Sequence, residues 1–125
     1  MRRWSVILVP VLALALLTPA AAAPVRAPSG IDPRLVLEWE AGSGRRGHPV
    51  VSGYVYNNYD RAAYEVRVLV ETLDAAGHPV DRAGGFVFGI VPVRGRSYFE
   101  VPIKTQGPSY RVTVTSFDWR DGGGP

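Results

Sequence analysis

The sequence predicts an all-β domain, an antiparallel two-sheet β-sandwich of about seven strands preceded by a signal-peptide helix. Three features of the 125-residue chain carry this prediction. Six or seven runs rich in Val, Tyr and Thr alternate apolar and polar residues with the period of two that strands require. Pro and Gly recur every few residues, which opposes long helices. The chain has no cysteine, so burial rather than disulfide bonds must stabilise the fold.

Residues 1–23 have the order of a secretory signal peptide. An arginine pair forms the basic start, an uncharged apolar core covers Trp4–Leu17, and small residues follow. The pattern Ala20-x-Ala22 favours cleavage before Ala23, so we expect the mature chain to begin near Ala23 or Pro24. A retained membrane anchor is the alternative, but a spanning helix needs about 20 apolar residues and this core is shorter.

Removal of the signal peptide changes the charge of the chain. The full sequence has 14 basic and 11 acidic residues, and loss of Arg2 and Arg3 leaves 12 against 11. A net charge of +1 gives no argument for nucleic acid or an anionic membrane as a partner. We therefore expect a secreted or periplasmic bacterial protein, with no nucleic-acid partner and no stable membrane insertion after cleavage.

The mature chain is expected to contain a flexible lead at 24–33, the sandwich domain at 34–120 and a disordered Gly-rich tail at 121–125. The predicted strands are Leu35–Glu40, Val50–Asn57, Tyr64–Leu73, one or two short strands within Val80–Ile90 with a break or bulge at Gly84-Gly85, Ser97–Ile103 and Tyr110–Trp119. Their inward rows should meet across the two sheets through Val55, Val66, Val68, Val70, Val112 and Val114. Arg67 should face outward between two of these valines.

The corner Asp74–His78 carries an aspartate and a histidine, and is predicted to be a turn rather than a chemical site. Asp74 stands where a turn residue bonds its own backbone through its carboxylate. Gly77 stands where a left-handed residue closes a turn with a bulge.

The order of motifs resembles the FxLYD-type domains and related sandwich domains of unknown function in bacterial envelope proteins. The matching residues are Val51-x-Gly53-x-Val55-x-Asn57, Val66-x-Val68-x-Val70, Leu73-Asp74-x-x-Gly77, Phe99, Tyr110-x-Val112-x-Val114 and Phe117-Asp118. The resemblance covers residues 35–119, although the name-giving motif would fall on 70–74, where only Asp74 matches. It implies an extracytoplasmic immunoglobulin-like or fibronectin-like fold, with no established catalytic residues to transfer.

Two surface features are candidate binding sites. In the loop around Arg45 and Arg46, glycine backbone groups and guanidinium groups offer chemistry for an anion, although a solvated loop between two strands is the simpler interpretation. Tyr54, Tyr56 and Tyr59 cluster in the sequence around an Asn-Asn turn. Outward tyrosines can bind a sugar or a protein, or can form ordinary cross-strand pairs.

Catalytic and metal chemistry are poorly represented. His48 and His78 are the only histidines, and no G-x-S-x-G motif occurs. We expect no catalytic residue, metal or cofactor. The sequence favours a non-enzymatic domain with a protein-interaction or accessory role in the cell envelope, its partner an envelope protein or a polysaccharide. The alternative is a carbohydrate-binding module that uses the tyrosine cluster.

Overall fold

The computed structural model describes residues 24–120, which form seven strands in two antiparallel sheets. The strands are β1 (Val25–Pro28), β2 (Leu35–Ser43), β3 (Pro49–Asn57), β4 (Ala63–Leu73), β5 (Pro79–Phe86), β6 (Arg96–Pro102) and β7 (Ser109–Trp119). The four-stranded sheet has the order β1-β2-β3-β6, and the three-stranded sheet has the order β5-β4-β7. The predicted all-β sandwich is therefore confirmed. The predicted signal-peptide helix and the C-terminal tail lie outside the described residues.

The strand order is that of an immunoglobulin-like sandwich. With β2 to β7 labelled A, B, C, C′, E and F, the sheets read A-B-E and C′-C-F. β1 is an additional strand beside A. No counterpart of strand G occurs within residues 24–120, so β7 is an edge strand of this part of the chain.

The core lies between the inward rows of the two sheets, as the alternation predicts. All six valines of the predicted inward rows are at most 5% exposed. Phe99 of β6 is the largest fully buried side chain of the described residues. Each buried side chain of this kind contributes roughly 1.5–3 kcal/mol, so the valine rows are a main source of stabilising burial in a chain without disulfides.

The segment at 24–33 is not the flexible lead that its composition predicts. Val25–Pro28 pair with residues 36–39 of β2 and form the edge of the four-stranded sheet. Ser29 follows, fully buried, and its carbonyl oxygen accepts a hydrogen bond of 2.9 Å from the Val114 N–H of β7. Contacts with a distant strand order this segment, and a Pro- and Ala-rich composition does not reveal them.

The predicted break at Gly84-Gly85 is also wrong. β5 continues through both glycines, with Gly84 opposite Leu69 and Gly85 opposite Val68 in β4. Gly85 faces the core, because a Cβ there would lie 3.0 Å from Cγ2 of Val101. Gly84, on the other side of the strand, faces outward.

The corner between β4 and β5 is a turn, as predicted. The Asp74 carboxylate accepts hydrogen bonds from the N–H groups of Ala76 (2.9 Å) and His78 (2.8 Å). Gly77 has the left-handed φ of 84° that closes the turn. The aspartate is thus occupied by its own backbone.

After β5 the chain passes from one sheet to the other and closes that side of the sandwich. The Val87 N–H donates to the Val66 carbonyl of β4 (3.0 Å), and the next N–H, of Phe88, donates to the Tyr98 carbonyl of β6 (3.0 Å). Val91 then exchanges two backbone hydrogen bonds with Ala63. The segment is held on both sheets, which fixes the direction of its outward side chains.

Candidate functional site

The outer face of the four-stranded sheet carries Tyr54, Tyr56 and Tyr98, which we call the tyrosine platform. Tyr54 and Tyr56 face outward because they flank the buried Val55. The β3–β6 register brings Tyr98 directly opposite Tyr54. Ring centroids lie 5.6 Å apart for Tyr54–Tyr98 and 6.4 Å apart for Tyr54–Tyr56.

The platform makes polar contacts with its neighbours. The Arg96 guanidinium lies 4.0 Å from the centre of the Tyr54 ring, and that of Arg26 lies 4.7 Å from the Tyr56 ring. The Tyr56 hydroxyl donates to Oε1 of Glu38 (2.8 Å) and accepts from Nη1 of Arg96 (3.1 Å). The hydrogen bond to Tyr56 raises the pKa of Arg96. One face of each β3 tyrosine is therefore already covered by a cation.

A shallow groove of about 220 Å³ lies beside the platform. Its lining includes aromatic, carboxylate and hydroxyl groups, from Trp39, Tyr54, Tyr98, Glu38, Glu40 and Ser52. Gly53 forms part of its floor, and β2 and β3 approach so closely there that a Cβ on Gly53 would overlap the carbonyl oxygen of Glu38.

Tyr59, the third tyrosine of the predicted cluster, lies elsewhere. Its ring centroid is 4.8 Å from that of Trp119, and the Arg34 guanidinium lies 4.2 Å from the Tyr59 ring centre and 5.0 Å from that of Trp119. Asp32 binds the same guanidinium at 2.8 Å, and this contact lowers the pKa of the aspartate. Tyr59 thus belongs to a separate cluster at the end of β7.

Arg45 and Arg46 are exposed in the short 3₁₀ turn that connects β2 and β3. Three backbone N–H groups of this loop are used within it. Gly44 donates to the His48 carbonyl, Gly47 to the Gly44 carbonyl and His48 to the Arg45 carbonyl. The loop therefore offers an anion its guanidinium groups rather than a ring of free backbone donors.

A run of exposed apolar side chains begins at the last residue of β5. The sequence analysis did not identify this run as a site. Phe86, Phe88, Ile90 and Val93 are 52%, 63%, 41% and 48% exposed, and we call them the edge strip. The buried Val87 and Val91 alternate with them and hold the backbone. An uninterrupted apolar run gives no period-two signal, so only the crossing between sheets separates its two faces.

A groove of about 350 Å³ adjoins Phe86 on the outer face of the three-stranded sheet. Gly84 and Leu69 lie along it, with Thr115 beyond them. The Arg67 guanidinium, also at the groove, lies 4.7 Å from the centre of the Phe86 ring. No carboxylate of residues 24–120 forms a salt bridge with Arg67.

Two arginines at the far end of the same face share one carboxylate. Glu71 is only 8% exposed, and its two carboxylate oxygens bind Arg111 at 2.8 Å and Arg82 at 3.4 Å. The Arg111 hydrogen bond, with help from Arg82, holds the pKa of Glu71 below its ordinary value. Both arginines beside Glu71 therefore have a carboxylate partner, whereas Arg67 beside the groove has none among the described residues.

Comparison of the chain with known protein families, with curated proteins and with solved structures finds no match. Within residues 24–120 no three His, Cys, Asp or Glu side chains form a group that could hold a metal ion. The described part of the chain also has no helix long and apolar enough to cross a membrane. The functional interpretation therefore depends on the surfaces themselves.

Proposed function

We propose that this chain is a secreted or periplasmic, non-enzymatic domain of the FxLYD-type sandwich class, with a protein-interaction or accessory role in the cell envelope. The observation that carries the proposal is the edge strip. Its four exposed apolar side chains lie within eight residues, on a backbone that both sheets hold in place. Exposed large apolar side chains concentrated in this way are typical of interaction sites.

The rigidity of the strip supports a binding role. Burial of apolar surface contributes about 25 cal/mol per Å². Ordering a mobile loop on binding would offset part of that gain. The edge strip avoids much of this loss, because backbone hydrogen bonds to Val66, Tyr98 and Ala63 already fix its path. Aromatic residues and arginine are also the types most enriched in protein interfaces.

Localisation and complex formation are tested together in the source cells. We expect the chain in an extracytoplasmic fraction, with an intact mass that starts near Ala23 or Pro24. A membrane-impermeant crosslinker applied to intact cells should shift it into a discrete larger species. A chain confined to the cytoplasm, or one that keeps residues 1–17 in the membrane, would contradict the proposal.

A carbohydrate-binding module is the second candidate, and the groove beside the tyrosine platform favours it. Two tyrosines, two carboxylates and a serine hydroxyl line one shallow depression, which is suitable chemistry for a sugar. The guanidinium groups over Tyr54 and Tyr56 oppose it, because they occupy ring faces that a sugar would use. Glycan-array binding that disappears in Tyr54→Ala and Tyr98→Ala, but persists in Tyr59→Ala, would favour this candidate over protein binding.

A further inference from the structure

We propose that the groove over Gly84, with Phe86 and Arg67 at its rim, docks a protein partner that presents an apolar side chain next to one carboxylate. This inference rests on the proposed binding function and names its surface and the chemistry of its partner. Three properties of the groove carry it: its shape, its charge and the charges across Phe86.

The shape of the groove is that of a receptor for a protruding side chain. Gly84 contributes no side chain, and a Cβ at that position would have only the Val68 carbonyl oxygen within 4 Å, at 3.7 Å. Leu69, directly opposite in β4, supplies apolar surface beside the gap. The volume of about 350 Å³ lies within the range of ligand pockets, about 300–1,000 Å³.

The charge of the groove favours one carboxylate of the partner, placed at Arg67. Arg67 and Phe86 line it, and no carboxylate is among its lining residues. Arg82 and Arg111, on the same face, share Glu71, whereas Arg67 has no carboxylate partner within the described residues. A carboxylate of the partner would pair with Arg67, and the guanidinium already lies against the Phe86 ring.

The charges across Phe86 distinguish the possible occupants. A second depression, of about 300 Å³, shares Arg67 and Phe86 with the groove and is also lined by Glu65 and Asp118. An anionic lipid surface covering both depressions would meet these carboxylates as well as Arg67. A second copy related by a two-fold axis at the groove would place Arg67 against itself. A protein that places one carboxylate at Arg67 and none over Glu65 and Asp118 meets neither difficulty.

Selection from a random peptide library displayed on phage, with the immobilised mature chain as bait, tests the proposal. We expect enrichment of peptides with a large apolar residue next to one Asp or Glu residue. The dissociation constant of a selected synthetic peptide should rise at least tenfold for Gly84→Leu, which fills the groove, and for Phe86→Ser. Arg67→Glu should have a similar effect and should favour peptides in which Lys replaces the acid.

Matched controls separate loss of the groove from loss of the fold. Val80→Ser changes another apolar residue of β5 that is 56% exposed, so it should alter affinity less than twofold. Gly42→Leu adds the same side chain where nothing lies within 4 Å of the new Cβ, and should behave likewise. Dissociation constants are compared only among variants whose melting temperature matches that of the natural chain.

Several results would overturn the docking site. Selected peptides that bind Gly84→Leu as well as the natural chain would remove the groove but leave the binding function standing. An absence of enrichment would do the same, provided that crosslinked envelope complexes are found. Sedimentation as a dimer that Phe86→Ser abolishes would assign the surface to a second copy. Co-sedimentation with phosphatidylglycerol vesicles that Arg67→Glu abolishes would assign it to a membrane.

Discussion

The two outer faces of the sandwich treat their aromatic residues differently. On the four-stranded sheet, Tyr54 and Tyr56 each have a guanidinium over the ring, and the Tyr56 hydroxyl bonds both Glu38 and Arg96. On the outer face of the three-stranded sheet, Phe86 also has a guanidinium beside its ring, that of Arg67 at 4.7 Å, yet the ring is 52% exposed. Phe88, which packs against Tyr98 with ring centroids 5.9 Å apart, is 63% exposed. The two tyrosines are half-buried and their hydroxyl and ring contacts are already made, whereas the two phenylalanines keep most of their apolar area exposed.

This difference indicates at which face the binding of a partner would gain more free energy. A ligand at the tyrosine platform meets half-buried rings with one face already covered by a guanidinium, so it has less apolar area to remove from water. A partner at the edge strip removes apolar surface from water without breaking a salt bridge of the described residues. Exposed aromatics alone therefore do not mark a binding site, and their existing partners must be considered.

The largest expected effect on stability tests which side chains of β4 face the core. The same assignment places the Gly84 groove on the outer face of the sheet. Val68 is 1% exposed in the core, so Val68→Asp should prevent folding because the carboxylate would be buried without a partner. Arg67→Asp, one residue earlier and exposed, should change the free energy of unfolding by no more than about 0.5 kcal/mol. Thermal melts followed by circular dichroism decide between them. If only the Arg67 variant unfolded, the assignment of the inward and outward faces of β4 would be reversed.

The floors of the two grooves give the next comparison. Gly53→Ala should destabilise the fold by about 1–3 kcal/mol, because the new Cβ overlaps the backbone of β2. Gly84→Ala should stay within about 0.5 kcal/mol, since its Cβ meets nothing closer than 3.7 Å. Urea denaturation measures both. Equal losses would show that the Gly84 groove is not open.

A smaller effect is expected from the platform hydroxyl. Tyr56→Phe removes the hydrogen bonds to Glu38 and Arg96 and should cost about 0.5–1.5 kcal/mol. Phe88→Ser, on the edge strip, should leave the free energy of unfolding nearly unchanged, because the ring is 63% exposed. If Phe88→Ser proved the more destabilising, the edge strip would be a structural element and not a free surface.

The smallest effect is a difference in acid stability at the Glu71 end of the three-stranded sheet. Arg111, followed by Arg82, lowers the pKa of Glu71 from its ordinary value of 4.5. Because the folded-state pKa is depressed, the stabilisation is complete above 4.5 and is lost as the pH falls through the folded value. Glu71→Gln should therefore melt lower than the natural chain at pH 6, and the gap should narrow towards about pH 2. A gap independent of pH would contradict this origin.

The sequence allowed the strands and the core to be predicted, because alternation is local. Val68 and Arg67 are neighbours whose environments follow directly from the pleat. The turn at Asp74 followed in the same way from its own residues. β1 was not predicted, because this segment is ordered by its pairing with β2 and by the hydrogen bond from the Val114 N–H to the Ser29 carbonyl.

The surfaces were less predictable than the core for the same reason. Tyr54, Tyr56 and Tyr59 are close in sequence, but Tyr59 packs on Trp119, and Tyr98 joins the platform through the β3–β6 register. The groove at Gly84 is formed by side chains of three strands. In the sequence, Gly84 indicated a break or bulge in the strand. In the structure, β5 continues through Gly84, and the missing side chain leaves a depression on its outer side.

Site-specific photo-crosslinking in living source cells tests the contrast between the two faces most directly. A benzophenone amino acid replaces Phe86 in one strain and Tyr54 in another, and each adduct is identified after irradiation by its mass. The account predicts a discrete protein adduct at position 86 and none at position 54. An adduct at position 54, with position 86 free, would contradict it and would identify the tyrosine platform as the binding surface.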